Sequence, residues 1–331
     1  VSDPAVRATI IGTGYHVPEK ILTNADLERM VSTSDEWIRT RTGICQRRIA
    51  EKGTGSSDLA AKAAEKALAQ AGLKAEELDL IIAATTTPDA PLPSCACYLQ
   101  AKIGATRAAA FDLAAACAGF LYGMVTAEQY IRSGLYRNIL VVGADMISSF
   151  IDWNDRSTCV LFGDGAGAAI VSATTQGGIL SSILGSDGRY TKLLTIAAGG
   201  SRRPASAETL QEGGHYLKMN GSDVFKLAVR GMADATLCAL EKAGVSPTEV
   251  ACFIPHQANL RIIDAVADRL KLNKEKIFTN LDRYGNTSAA SCPIALCEAL
   301  EAGRIKKGDK IVFATFGAGM VWGALVMEWS R

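Results

Sequence analysis

An α/β protein built from two similar halves is the fold class this sequence predicts, and three observations carry that prediction. Short apolar runs alternate with stretches of helical periodicity along the chain. A segment recurs: "ALAQAGLKAEELD" at 67–79 and "ALEKAGVSPTEVA" at 239–251 share the frame Ala-Leu-x-x-Ala-Gly-[Leu/Val]-x-x-x-Glu-[Leu/Val], 172 residues apart. The chain has 331 residues, 48% hydrophobic and 21% charged, enough for one large domain or two fused halves around a sizeable core. The halves are expected at 1–175 and 176–331. Alternating strands and helices imply packed layers, and a cleft between two such halves is a common place for ligands.

Taken in chain order, the first repeat closes a helical pattern at Gly72, where a C-cap glycine belongs. It leads into "LIIAATTT" (80–87), an apolar run that reads as a buried strand. "AAAFDL" reads as the next strand, and "CAGFLYGMVTAEQYIRSG" (117–134) as a helix, with Phe120, Leu121, Met124, Val125 and Ile131 at roughly helical spacing. The strand "NILVVGAD" (138–145) follows. In the second repeat the helix closes at Gly244 and leads into "CFIPHQAN" (252–259). "NTSAASCPIALCEALEAG" (286–303) then precedes the strand "KIVFATFGAG" (310–319). Aligning Gly134 with Gly303, with gaps, sets Cys117 opposite Asn286.

Thirty-five basic residues against 34 acidic ones argue against a nucleic-acid binder, which carries a basic excess. No run reaches the 18 or so apolar residues of a membrane span, and Val1-Ser2-Asp3-Pro4 lacks the regions of a signal peptide, so a cytoplasmic protein is expected. The nine cysteines are odd in number and scattered, which speaks for a reducing compartment rather than a disulfide scaffold. The closest pairs, Cys95/Cys97 and Cys292/Cys297, have no His at zinc-ligand spacing, so no metal site is expected.

One cysteine stands apart. In "DLAAACAGF", Cys117 lies among Ala114, Ala115, Ala116, Ala118 and Gly119, at an expected strand-to-helix turn. A helix N-terminus lowers a thiol pKa, and small neighbours leave room for a substrate. A buried structural cysteine is the alternative. His256 in "IPHQAN" sits at a strand end, as a catalyst or a core histidine. Asn286 in "YGNTSAAS" is a polar group among small residues or a helix N-cap. A Cys, a His and an Asn far apart in sequence suit nucleophilic catalysis. "GTGYHV" (12–17) lacks the third glycine of a dinucleotide fingerprint, and "FGDGAGA" (162–168) lacks the Lys-Ser/Thr of a P-loop; close packing explains the second better. In "FGAGM" (316–320), backbone N–H groups in a turn could hold an oxyanion. "SDEWIRTRTGI" (34–44) places Trp37 near Arg39 and Arg41, groups that stack on bases or meet phosphates, or that simply end a surface helix. Arg156 in "WNDRST" is equally two-sided.

Six stretches in order, "SDEWIRTRTGI", "DLAAACAGF", "LFGDGAGA", "IPHQANLRI", "YGNTSAAS" and "FGAGMVWGA", resemble the β-ketoacyl-acyl carrier protein synthase III family, the initiating condensing enzymes of bacterial fatty acid synthesis. The resemblance runs from about residue 8 to residue 329. It implies the thiolase-like fold, with two duplicated βαβαβαββ halves in five α-β-α-β-α layers, and a homodimer. It implies an acyltransferase with Cys117 as the acyl-accepting nucleophile, an acyl-CoA (typically acetyl-CoA) as primer, and malonyl-acyl carrier protein as extender. No cofactor is implied, because CoA and the carrier protein bring substrates. His256 and Asn286 would donate to the enolate oxygen after decarboxylation, and the N–H groups of Cys117 and Ala318 would hold the thioester oxyanion. Ala318 stands where many members carry Gly, which matters only if the turn needs φ > 0. Phe162 and Phe316 would keep the site dry. Trp37 and Arg156 would sandwich the CoA adenine, while Thr33, Arg41, Gly221, Phe225 and Asn259 would line the CoA or pantetheine path. Lys226 and Arg261 would form a basic rim for the acidic carrier protein. Leu92 would reach the acyl pocket of the dimer mate. A secondary-metabolism relative with a different primer or acceptor is the nearest alternative, and a thiol hydrolase is the alternative of another class. A 3-hydroxy-3-methylglutaryl-CoA synthase needs a general-base Glu near the nucleophile, whereas the first Glu after Cys117 is Glu128.

Overall fold

The computed structural model describes residues 6–331. The Val1-Ser2-Asp3-Pro4 start lies outside the described residues. The first sheet takes its strands from the first half of the chain: β1 (Arg7–His16), β2 (Leu80–Ala84), β3 (Ala109–Leu113), β4 (Asn138–Met146) and β5 (Asp164–Thr174), in the spatial order β1-β5-β4-β2-β3. Strand β2 runs parallel to both neighbours, and β5 antiparallel to both of its own. The connecting helices are α1 (Ser56–Ala71), α2 (Cys95–Ile103) and α3 (Gly119–Arg132).

The second sheet repeats this plan with β6 (Gly178–Ser186), β7 (Val250–Pro255), β8 (Lys310–Gly317) and β9 (Val321–Glu328), in the order β7-β8-β9-β6. Its helices are α4 (Gly221–Ala243), α5 (Leu260–Leu270) and α6 (Ser291–Glu301). The third strand of this half shrinks to one parallel bridge, Phe253 to Ile277. A side chain takes over its backbone pairing: Gln257 donates to the Phe278 carbonyl at 3.3 Å and accepts from the Asn280 N–H at 3.0 Å.

Three apolar clusters show the layering. Leu59, Ala63 and Leu68 of α1 and Leu99 of α2 pack on Ile81, Leu140 and Ile170, on one face of the first sheet. Phe120, Leu121 and Met124 of α3 and Leu296 and Ala299 of α6 fill the space between Ile82 and Val141 of one sheet and Ile254, Phe313 and Leu325 of the other. Val224, Met232 and Ala239 of α4 and Val266 of α5 cover Phe253, Val312 and Val326. The result is the α-β-α-β-α thiolase-like arrangement. Each fully buried Leu, Ile or Phe contributes roughly 1.5–3 kcal/mol, so the shared middle layer binds the two sheets together.

Both copies of the repeat end as the frame requires, at Gly72 and Gly244 in left-handed conformation, φ 68° and 64°. The downstream correspondence, however, needs correcting. Short helical turns at Ala116–Ala118 and Ser288–Ala290 each open on a residue of positive φ, Ala116 at 46° and Ser288 at 52°. These turns lie 172 residues apart, the offset of the first repeat, as do the starts of α3 and α6. Cys117 therefore sits opposite Ala289, not Asn286. The gap falls at the helix ends, because α6 has 11 residues and α3 has 14. A helix can shorten at its end at little cost, whereas the turn is clamped: a Cβ on Gly143 of β4 would stand 2.3 Å from the Ala289 carbonyl.

Close packing accounts for the other glycine-rich stretches. A Cβ on Gly12 would lie 2.2 Å from the Ala67 carbonyl of α1, and one on Gly167 would lie 2.7 Å from Pro293 of α6.

Candidate active site

Cys117 is buried in the turn that precedes α3, where the β3 connection reaches the middle layer. Its N–H lies in the first turn of a helical segment, where no carbonyl of the same helix can reach it. The end of β8 closes on this amide, since a Cβ on Gly317 would stand 2.7 Å from the Cys117 nitrogen. Gly317 is thus required for proximity. Ala318, the next residue, is not among the positive-φ positions, so alanine is unstrained where many family members carry glycine.

His256 follows β7, its N–H bonded to the Ala314 carbonyl at 2.8 Å. Its Nδ1 lies 2.6 Å from Ser291 Oγ. Burial lowers its pKa to about 4, so the imidazole is neutral at pH 7. Asn286 is pinned by its backbone, which donates to the Leu161 carbonyl at 2.8 Å and accepts from the Gly163 N–H at 3.1 Å. Its side-chain Oδ1 accepts from the Ser288 N–H at 2.8 Å. That bond identifies Oδ1 and leaves the Nδ2 amide hydrogens as the free end. Asn286 does not cap α6; its carboxamide caps nothing but the short turn.

The thiol departs from expectation. Burial pushes the Cys117 pKa up to about 12, against the opposing hydrogen bond from Ser288 Oγ at 3.4 Å. The nearby carboxylate of Asp145 pushes in the same direction as burial. Desolvation of the thiolate outweighs the benefit of the helix N-terminus, so the resting group is a thiol. Asp145 itself accepts from Thr86 N–H at 2.7 Å and from Ala289 N–H at 3.1 Å, tying the first sheet to the Ser288–Ala290 turn.

One cavity of about 720 Å³, its open mouth included, is lined by Cys117, His256, Asn286, Phe162, Phe316, Gly221, Phe225 and Asn259. Eight expected residues from both halves meet there. A second cavity shares Cys117, Phe162 and Leu194 with the first and adds Thr86, Ile147, Ile196, Leu217, Ser288 and Ala318. Cys117 therefore stands where two chambers meet, both with mainly apolar walls.

The remaining expected residues lie outside these linings. Trp37, on the helix Asp35–Thr42, carries Arg156 over its ring at 4.6 Å from the centroid and Arg41 at 5.8 Å. A flat base between two planes needs about 7 Å, twice the contact distance of carbon atoms. The Trp37–Arg156 slot is thus closed here, with Arg156 also bonded to the Ser32 carbonyl at 2.9 Å. Thr33 is half-buried, with its hydroxyl unpartnered. Asn259 caps α5 through Arg261 N–H and donates to the Arg41 carbonyl, so it joins the Trp37 cluster to the cavity. Lys226 is exposed on the second turn of α4 and Arg261 on the first turn of α5; Arg261 lies over Phe225, and Lys226 pairs with Asp223 at 3.6 Å. Leu92 is 85% exposed and touches neither cavity. Glu128 is buried well along α3 and pairs with Arg132.

Comparison with known proteins gives this geometry its family. Residues 111–188 match the profile "3-Oxoacyl-[acyl-carrier-protein (ACP)] synthase III", and residues 240–329 match that of its C-terminal part. The β-ketoacyl-[acyl-carrier-protein] synthase III of Symbiobacterium thermophilum is 57% identical, over 97% of this chain and 98% of the relative. That of Caldanaerobacter subterraneus is 55% identical over 98% and 99%. The chain belongs to the β-ketoacyl-acyl carrier protein synthase III family. The crystal structure of the synthase III from Aquifex aeolicus superposes with a TM-score of 0.91 at 48% identity, covering 97% of this chain and all of that one.

Two residues of this synthase III site escaped the sequence reading, Ser288 and Ser291. Both lie in the quoted "YGNTSAAS", but a serine among alanines announces nothing until the turn folds. Among the described residues, no three His, Cys, Asp or Glu side chains gather as metal ligands, and no helix is long and apolar enough to cross a membrane.

Proposed function

We propose that this chain performs the decarboxylative condensation that starts fatty acid synthesis, joining an acyl-CoA primer, typically acetyl-CoA, to malonyl-acyl carrier protein. Cys117 Sγ attacks the acyl-CoA carbonyl. A new C–S bond forms, the bond to CoA sulfur breaks, and the thiol proton leaves with the CoA thiol. The charge on the carbonyl oxygen falls to the N–H groups of Cys117 and Ala318. The malonyl thioester then loses carbon dioxide; the electrons of the broken C–C bond form an enolate whose oxygen takes hydrogen bonds from His256 Nε2 and Asn286 Nδ2. Its carbon attacks the acyl thioester, Cys117 leaves as thiolate and regains a proton, and a 3-oxoacyl-carrier protein departs. Fixed donors aimed at developing charge are the largest lever available to such a site, and removing one typically costs about 100–1,000-fold.

The observation that carries the reading is the orientation of Asn286. Its acceptor oxygen is tied up by the Ser288 N–H, so its donor end and a neutral His256 are free in a cavity that Cys117 also lines. Two neutral donors suit a developing enolate. Phe162 and Phe316, both buried at the cavity wall, favour exclusion of water over hydrolysis.

Further assignments belong to the same reading. CoA runs along Gly221, Phe225 and Asn259 towards Thr33, Arg41, Trp37 and Arg156. The primer chain lies in the second chamber, which Leu92 of a homodimer mate limits; its exposure supports an outward role. Lys226 and Arg261 at the mouth receive the acidic carrier protein. The same reading takes the halves as 1–175 and 176–331, which the gap between the strands ending at Thr174 and beginning at Gly178 supports. Substrates rather than a cofactor bring all reacting groups, and the nine free cysteines suit the cytoplasm.

The test is intact-protein mass after brief mixing with a panel of acyl-CoAs, followed by a malonyl-carrier-protein chase. We expect one acyl group on Cys117, leaving as 3-oxoacyl-carrier protein. Release of free acid alone would identify a thiol hydrolase instead.

A further inference from the structure

One short segment touches all three groups of the proposed site, and one contact in it has a chemical consequence for His256. Ser291 Oγ lies 2.6 Å from His256 Nδ1, and both residues are buried. The same oxygen faces the Gln257 backbone N–H at 3.5 Å. A backbone N–H only donates, so Oγ is the acceptor there, and its own hydrogen is free to point at the ring. With the hydroxyl turned that way, Nδ1 accepts and the ring proton sits on Nε2. We propose that Ser291 is a positioning residue that fixes the Nε2–H tautomer of His256 and so makes it a donor towards the reacting oxygen.

The opposite arrangement is a working alternative for the same atoms. If Nδ1–H donated to Ser291, Nε2 would present a lone pair to the enolate oxygen and repel it. Nothing else among the described residues bonds to either ring nitrogen, so the choice rests on this one hydroxyl. His256 is held by its own backbone bond to Ala314, and Ser291 is the first residue of α6. The hydroxyl therefore reads the ring from the neighbouring layer without touching the cavity, whose lining does not include Ser291. The inference rests on the condensing role proposed for His256.

The experiment uses the full chain with ¹⁵N-labelled histidine, in wild type, Ser291→Ala and Ser291→Thr. His256 signals are assigned by their loss in His256→Ala. We expect the protonated nitrogen of wild-type His256 to be Nε2. Ser291→Ala should populate the other tautomer and slow malonyl decarboxylation about tenfold, the worth of one hydrogen bond, with Cys117 acylation by acyl-CoA changed less than twofold. Ser291→Thr, which keeps a hydroxyl, should restore both the tautomer and the rate. A wild-type proton on Nδ1, or a Ser291→Ala protein with the wild-type tautomer and decarboxylation rate, would overturn the proposal. If Ser291→Ala fails to fold, Ser291→Cys, a poor donor of similar size, gives the same comparison. If His256→Ala leaves decarboxylation intact, the condensing role itself falls, which is a distinct result.

Discussion

At the scale of single residues, burial keeps the charged states of the site suppressed. Cys117 is held as a thiol and His256 as neutral imidazole, both by burial. Below its pKa of about 12 the thiolate fraction of Cys117 rises tenfold per pH unit, so alkylation by iodoacetamide should climb steadily from pH 7 to pH 10. A plateau near pH 7 would reveal a stabilised thiolate and contradict the buried-thiol account; mass spectrometry of the Cys117 peptide measures it. The sequence made Cys117 conspicuous because bulky neighbours were missing around it, but it pointed to the wrong protonation state. Local sequence displays the helix N-terminus; it does not display the second half of the chain, which supplies Ser288 above the thiol and removes the water. Ser291 was illegible for the same reason, since its partner His256 lies 35 residues away.

At the scale of elements, the turns count for more than the strands and helices they join. The repeated Ala-Gly frame revealed both α1 and α4 with their C-caps, because a left-handed glycine after a helical run is a local signal. The Ser288–Ala290 turn left no such signal, and the alignment slipped by three residues there. Its identity with the Cys117 turn rests on backbone geometry at Ala116 and Ser288, residues with no sequence habit of positive φ. The approach of β8 to the nucleophile gives a direct expectation. Gly317→Ala places a methyl 2.7 Å from the Cys117 nitrogen, so the end of β8 and the Cys117 turn must part and the oxyanion donors with them. Acylation of Cys117 should slow by about 100-fold or more. A Gly317→Ala protein that acylates at the wild-type rate would show that this close approach is dispensable.

At the scale of the whole molecule, a nearly neutral chain has to attract an acidic carrier through local charge. Lys226 and Arg261 stand on the neighbouring helices α4 and α5, each next in sequence or nearly so to a cavity-lining residue, Phe225 and Asn259. The double variant Lys226→Glu with Arg261→Glu should raise KM for malonyl-carrier protein about tenfold or more at low salt. The effect should shrink towards 1 M salt, where screening acts within about 3 Å, and kcat should change little. An unaltered KM at low salt would move the docking surface elsewhere.

The loss of a strand in the second half has a consequence for association. In the first sheet β3 is an edge, and its outer row of N–H and C=O groups is a template on which another strand can grow. On the corresponding side of the second sheet that template is already spent: Phe253 accepts from the Phe278 N–H, and the chain beyond it is tied to Gln257 instead of lying open. The twin halves are therefore unequal in the one property that governs sheet extension. On this side of the two sheets, an incoming strand would find a regular edge to pair with in the first half and only a tied-down segment in the second.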